Sequence, residues 1–553
     1  MLIRQLRTAA VLVALMSLSA RTFAATSPEQ RNLEELRNTI SNLLQALVDK
    51  GVLTREQAQA MVKNAEDKAG TDAAAALAQE QKQSKEDEGA VRVPYVPQIV
   101  KDEIRKEVVS ELGPNVKQQV VDDVNAKGGL FTTLPEWMQR MRFTGDVRIR
   151  QEGDEFGSGN VANTYLDFNQ VNAKGGIAQA GPSAFLDTTE DRDRLRLRLR
   201  FGFDADLGDG FQAAMRLATG TGEIFLTTNQ TLGNYGQRYQ VAVDQGYISW
   251  NGKFSDDRQQ VMAEAGRFAD PYVATDLMWY NDLTFEGVAS TYKFNLISDK
   301  ENRRDVYVTA GAFPLSNFSP LDPNTTYANK WLGAAQAGID LHFGDSVRVA
   351  FAGSYYDFIH ISGELNTPDS TLLNWTAPVL VQKGNTMFQI SNPSNPTTNP
   401  VNLFGLAPDF RIVDLIATTE FRFSTGYMVG VTAEGLDNIG FDAGQVFART
   451  GTSVPARTHG YRTDVTFGSS RFGAFGTWQG AVGYRYVQRD AVVDAFNDQD
   501  FHLGGTDAKG YTLRFDYSIN PRVFLRLKYM AADAIDGPPL NIDVWQVDLN
   551  TRF

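Results

Sequence analysis

Four arginines alternate with apolar residues along Arg192 to Asp206, which reads Arg-Asp-Arg-Leu-Arg-Leu-Arg-Leu-Arg-Phe-Gly-Phe-Asp-Ala-Asp. On a strand, Arg194, Arg196, Arg198 and Arg200 share one face, while Leu195, Leu197, Leu199, Phe201 and Phe203 share the other. Guanidinium groups in such a row can hold carboxylates or phosphates through charge-assisted, often bidentate, hydrogen bonds. The same parity collects Arg148, Arg150, Arg216, Arg514, Arg526, Lys528 and Arg552. Three carboxylates, Asp270, Asp276 and Asp282, lie together between two strand candidates. Catalytic chemistry finds no such pattern. His342, His360, His459 and His502 are scattered, no Ser/His/Asp spacing is persuasive, and no catalytic residue or cofactor is assigned. Cysteine is absent, so thiolate metal sites and disulfides are excluded. Asp494, Asp498, Asp500 and Asp507 have the chemistry to bind calcium, but solvated loop charge is the favoured reading and no metal site is expected.

The elements that position these residues have a period of two from Met141 to the end. About sixteen strands follow, an even number, from Phe143 to Gln151 through Asn541 to Phe553. Their connections alternate. Short links such as Gly208-Asp209-Gly210, Gly344-Asp345 and Ile519 to Arg522 separate long ones such as Glu152 to Asp191, Gly220 to Gln240 and Ile359 to Phe410. Short turns at one end and long loops at the other mark an up-and-down outer-membrane barrel. A soluble sandwich is the alternative for any single amphipathic strand, but it does not need alternating loop lengths. An arginine at the bilayer midplane costs roughly 2 to 4 kcal/mol, so the arginines are expected in the lumen and the leucines in lipid. If the last strand closes on the first, strands fourteen to sixteen and one to three are contiguous and carry one basic wall.

With 553 residues and a net charge of −13, the acidic chain does not suit nucleic acid as a partner. Met1 to Ala24 has a basic start, an apolar segment and a small-residue exit, the pattern of a signal peptide. Residues 25–139 read as a periplasmic helical segment and linker, and 140–553 as the barrel. Within the leader, Ser27-Pro28-Glu29-Gln30 opens an amphipathic helix that Gly51 ends, and the stripe from Ile104 to Val124 is either a coiled coil or a spacer. At the other end, Trp545, Val547, Leu549, Thr551 and Phe553 share one face, and the aromatic terminus resembles the assembly signal of bacterial outer-membrane barrels.

Leu134-Pro135-Glu136-Trp137 leading into Gly145 to Arg150, then Gly266-Arg267-Phe268 through Trp279-Tyr280-Asn281-Asp282, resembles the putative porin family of Gram-negative outer-membrane proteins. Leu44 to Thr54 also resembles that family's leader region. The resemblance implies a diffusion channel and, by analogy with general porins, a homotrimer in contact with outer-membrane lipid and lipopolysaccharide. It also implies that the third long loop, with Asp270, Asp276 and Asp282, enters the lumen as a constriction facing the basic wall. The loop from Ile359 to Phe410 is the longer candidate for a plug or lid. The expected function is passive diffusion of small hydrophilic solutes with mild anion preference. An anion-specific channel for phosphate or organic acids is one alternative; a tether to peptidoglycan through residues 25–130 is another.

Overall fold

The computed structural model describes residues 140–220, 225–253, 258–297, 302–318, 328–395 and 401–553. The signal peptide and helical leader lie outside the described residues.

Sixteen long antiparallel strands form one closed barrel. In chain order they are β1 (Met141–Phe156), β2 (Arg192–Gly208), β3 (Phe211–Thr219), β4 (Val241–Lys253), β5 (Gln259–Ala269), β6 (Thr284–Ile297), β7 (Arg304–Ser316) and β8 (Lys330–Phe343). The second half comprises β9 (Val347–Ile359), β10 (Phe410–Arg422), β11 (Tyr427–Asn438), β12 (His459–Ser469), β13 (Trp478–Val487), β14 (Ala508–Asn520), β15 (Val523–Ala534) and β16 (Asn541–Arg552). A two-residue strand, Gln230–Thr231, pairs with β2 beyond the end of β3. Each strand pairs with its sequence neighbour, and β1 pairs with both β2 and β16. Closure removes the two unpaired edges that an open sheet would expose to lipid.

The turns and the terminus show why this sequence closes. Between β2 and β3, Asp209 (φ 52°) and Gly210 (φ 82°) are both left-handed, as a tight hairpin that follows strand twist requires. At the seam, the terminal Phe553 exchanges two backbone hydrogen bonds of 3.0 Å with Gly145. Its ring fills the space beside that glycine, where an added Cβ would meet Phe553 Cζ at 2.6 Å.

Side-chain parity separates two environments. Leu195, Leu199 and Phe201 on the outer face are 45%, 39% and 44% exposed, whereas Arg196 on the inner face is 8% exposed. The outer apolar face is the one that lipid covers. Tyr427, Phe467, Tyr511, Phe515 and Tyr529 are exposed on the same outer face.

Inside, the interior differs between the two ends. Towards the short turns it is charged. Towards the long loops, Phe285, Phe313, Leu332, Tyr356, Phe410, Ile412 and Val544 turn inward and join one buried apolar cluster. Loops L3 (270–283), L5 (360–409) and L7 (488–507) add Trp279, Leu406 and Val493 to that cluster, with Phe496 packed against it. Part of the barrel mouth is therefore packed like a protein core, while Glu152, Asp154, Arg192 and Arg194 line a charged cavity at the same end.

Candidate functional site

The arginine wall forms because β16, β1 and β2 run side by side with their basic parity inward. Arg148 lies opposite Arg198 and Arg150 opposite Arg196 in the register. Like charges so close need compensation. The same inward parity supplies it, because β1 continues past Gln151 and presents Glu152 and Asp154 as well as Asp146. Arg194 lies 2.6 Å from Glu152 and 2.7 Å from Asp154, and Arg196 is 3.1 Å from Glu152. Arg198 and Arg200 share Asp146 at 2.8 and 2.6 Å. Arg216 pairs with Asp244 at 2.6 Å. The wall is an interlocked sheet of charges of both signs.

A second compensation comes from loops folded into the barrel. L3 leaves β5, crosses the lumen and returns to β6. It is clamped to β8 where Gln336 accepts from Val273 N at 3.0 Å and donates to Val273 O at 2.9 Å. It is clamped to β11 where Thr275 donates to Glu434. Asp276 then reaches Arg462 on β12 at 3.2 Å and Arg485 on β13 at 3.8 Å. Asp282 reaches Arg198 at 3.1 Å, Arg200 at 3.4 Å and Arg148 at 3.9 Å. Burial raises both carboxyl pKa values, but the surrounding guanidiniums outweigh it and hold both below the usual carboxylate range.

L7 contributes from the other side. Asp500 pairs with Arg150 at 3.1 Å, and Asp498 pairs with Arg485 at 3.1 Å. Tyr280 N donates to Phe496 O at 3.0 Å, joining L3 to L7. L7 is held in turn by L5. Asn385 donates to the carbonyls of Arg489 and Val492 at 2.7 and 2.9 Å, and Thr386 bonds both oxygens of Asp490 at 2.8 and 2.7 Å. The Lys383 ammonium donates to the carbonyls of His502 and Gly504. Burial pushes Lys383 down to about 7 and Asp494 up to about 8. Between L1 (157–191), L5, L7 and the arginine wall remains a cavity of about 370 Å³, lined by Arg192, Arg194, Arg196 and Lys383 with Glu152, Asp154, Asp187 and Asp500.

The sequence-derived residues therefore fall into distinct places. Arg148, Arg150, Arg194, Arg196, Arg198, Arg200 and Arg216 lie together on the inner face with the acids named above. Arg514 and Arg526 share the single carboxylate of Asp516, at 3.3 and 2.6 Å. Lys528 lies opposite Arg514 in the register and makes no ion pair within 4 Å among the described residues. Arg552 sits apart at the short-turn end, exposed, donating to Pro521 O at 3.2 Å. Of the three L3 acids, Asp276 and Asp282 meet arginines, while Asp270 does not: it caps Tyr272 N at 2.9 Å, and burial raises it to about 7. It lies toward Glu434 on β11 and Asp414 on β10, whose like charges face it, and not toward the arginines. Asp494, Asp498, Asp500 and Asp507 are all buried and not solvated loop charge as expected, because L7 packs inside the mouth. Among the described residues, no group of acids and histidines is placed to hold a metal ion.

Arg462, Arg485, Glu152 and Asp154 are site residues that the sequence pattern does not single out. Glu152-Gly153-Asp154-Glu155 reads as a loop beginning, whereas the alternation of parity from Asp146 continues unbroken through Asp154.

A family model described as Putative porin matches residues 37–553. No curated protein matches. Similar solved structures include OprB of Pseudomonas putida at high pH, with 12% identity over 76% of this chain and 96% of that one and a TM-score of 0.41. The outer-membrane channel DcaP of Acinetobacter baumannii has 12% identity over 75% of this chain and 97% of that one, with a TM-score of 0.36. A loop-deletion mutant of OmpT of Vibrio cholerae has 11% identity over 75% and 99%, with a TM-score of 0.37.

Proposed function

We infer, for a chain that belongs to the putative porin family, passage of small hydrophilic solutes by passive diffusion with a mild preference for anions. The family and the closed barrel make the protein an outer-membrane channel and not an enzyme. Charge on the lumen wall is what a diffusing ion meets, and a wall of one sign raises the local concentration of the opposite ion. Along β1 and β2 that charge is largely cancelled within the protein, so this region contributes hydration and a local field more than net attraction.

The observation that supports anion preference is on β14 and β15. There Arg514 and Arg526 divide one carboxylate, Asp516, between them. Lys528 lies on the same inner face with no ion pair within 4 Å among the described residues, its nearest compensation being the longer-range charges of Asp276 and Asp500. This part of the wall has more cations than acids, and both Arg514 and Arg526 are about one-third exposed at their side chains. The preference is mild because partly exposed charges are screened within about 8 Å at physiological salt.

Zero-current potentials across a potassium chloride gradient, measured in planar bilayers with the full chain, test this reading. A potential of the sign set by chloride supports it. Cation selectivity overturns it.

A further inference from the structure

The barrel wall contains a wedge between β6 and β7. Their pairing runs from Val288 opposite Ala312 to Ile297 opposite Arg304. Yet β6 begins at Thr284 and β7 ends at Ser316. Residues 284–287 pair with β5 and residues 313–316 with β8, but not with each other. Above Val288 the two strands part, and a cavity of about 270 Å³ is lined from both sides of the wedge.

That cavity is mainly apolar. Phe285 and Phe313 come from the two strands, Leu332 from β8, Trp279 from L3 and Phe496 from L7. Lys330, which is 2% exposed, is among the residues of the same lining. Its ammonium donates to Thr376 O at 3.1 Å and Ala377 O at 3.3 Å, and it has no carboxylate within ion-pair distance among the described residues. An ammonium has three donors, so one is left over, and two neutral carbonyls do not cancel its charge. Thr284 adds a buried hydroxyl without a hydrogen-bond partner. The other charges on the cavity, Arg267 and Glu286, pair with each other. Among the described residues, Lys330 is thus a charge on this cavity with no acidic partner within ion-pair distance.

A buried cation without an acid is costly, and an anion that brings its own apolar surface removes the cost while filling the space. We propose that this cavity binds a small apolar monocarboxylate, with its carboxylate on the Lys330 ammonium and its ring or chain against Phe285, Phe313, Trp279 and Phe496. Inorganic phosphate is a poor fit, because it surrenders its hydration to a largely apolar wall. A neutral apolar molecule of the same size fills the volume but leaves the ammonium uncompensated. The ligand is taken to be cargo on the strength of the channel reading; binding itself does not depend on it.

Calorimetric titration of the full-length, detergent-folded protein with benzoate, benzamide and phosphate tests the assignment. Saturable benzoate binding is expected, with benzamide and phosphate weaker by about tenfold or more, the value of one hydrogen bond to a charged group. Lys330→Met, which keeps the length of the side chain, is expected to lose about tenfold or more in benzoate affinity. Ala495→Phe, which fills the cavity and leaves Lys330 intact, is expected to abolish binding while the heat-modifiable migration of the folded barrel persists. The assignment is overturned if benzoate does not saturate, if benzamide binds equally well, or if folded Lys330→Met or Ala495→Phe binds benzoate like the native chain. Conductance is a separate measurement, so loss of this site leaves the channel reading standing.

Discussion

Arg150 and Asp548, 398 positions apart in the chain, form a two-point pair across the seam between the first and last strands, Nε to Oδ1 at 2.7 Å and Nη2 to Oδ2 at 2.9 Å. Both side chains are almost fully buried. Arg150 also meets Asp500 at 3.1 Å and Glu152 at 3.4 Å, so removing Asp548 takes away its two-point partner at the seam and leaves two other acids beside it. Asp548→Leu is expected to destabilise the folded barrel by about 1.5–3 kcal/mol, the value of hydrogen bonds to a charged group. Arg150→Met removes the same pair and also leaves the buried Asp500 without its arginine, so it should cost more. Urea unfolding in detergent micelles, followed by the shift in electrophoretic migration, measures both; an Arg150→Met variant no less stable than Asp548→Leu contradicts the account.

One layer further along the same seam, Gly153 faces Trp545. A Cβ on Gly153 would lie 2.2 Å from the Trp545 indole nitrogen. Gly153→Val is therefore expected to lower stability by about 1–3 kcal/mol, the usual cost of overpacking. Trp545→Ala in the same chain should relieve it. Equal stability of Gly153→Val and native protein would show that the ring moves aside freely.

Asp282 is the acid on which three arginines converge. Asp282→Asn removes one negative charge from the lumen without changing shape. It is expected to raise the anion-to-cation permeability ratio by roughly twofold, since a unit charge at about 4 Å in a water-like medium is worth about 1 kcal/mol before screening. Asp270→Asn, away from the arginines, should change the ratio less. Reversal potentials at low and high salt distinguish the two, and an equal effect of both substitutions would sink the proposed role of Asp282.

The cap contains a histidine that burial keeps neutral. His502 is 1% exposed, its Nε2 sits 3.1 Å from Leu540 O, and burial lowers its pKa to about 3. A histidine freed from the cap titrates near 6.5. The freed form binds more protons between those values, so the stabilisation is present above about pH 6.5 and is lost as pH falls towards about 3. Asp494, raised by burial to about 8, works in the opposite sense, favouring the cap at low pH. Comparing native protein with His502→Gln isolates the histidine contribution. Hydrogen-exchange protection across L7 should fall more between about pH 7 and about pH 4.5 in the native chain than in the variant; parallel profiles would contradict this.

The residues alone were sufficient for the strand count, the facing of the arginines and the closure of β16 on β1, for a physical reason. Lipid on one side and water on the other impose a period of two at every strand, and Leu195, Leu197 and Leu199 against Arg194, Arg196 and Arg198 display it locally. The acids that answer those arginines were only partly legible. Asp146 sits in the alternation, but Glu152 and Asp154 follow a stretch where hydrophilic residues suit a lumen wall and a loop equally well, so β1 ends five residues later than its pattern suggested. What tertiary structure alone decided is the interior of the mouth. Pairs such as Arg198 with Asp282 and Arg150 with Asp500 join positions 84 and 350 residues apart. No periodicity encodes such distances. They arise because L3, L5 and L7 carry apolar side chains that can leave water only by folding inward, and in doing so they bring their carboxylates to the wall.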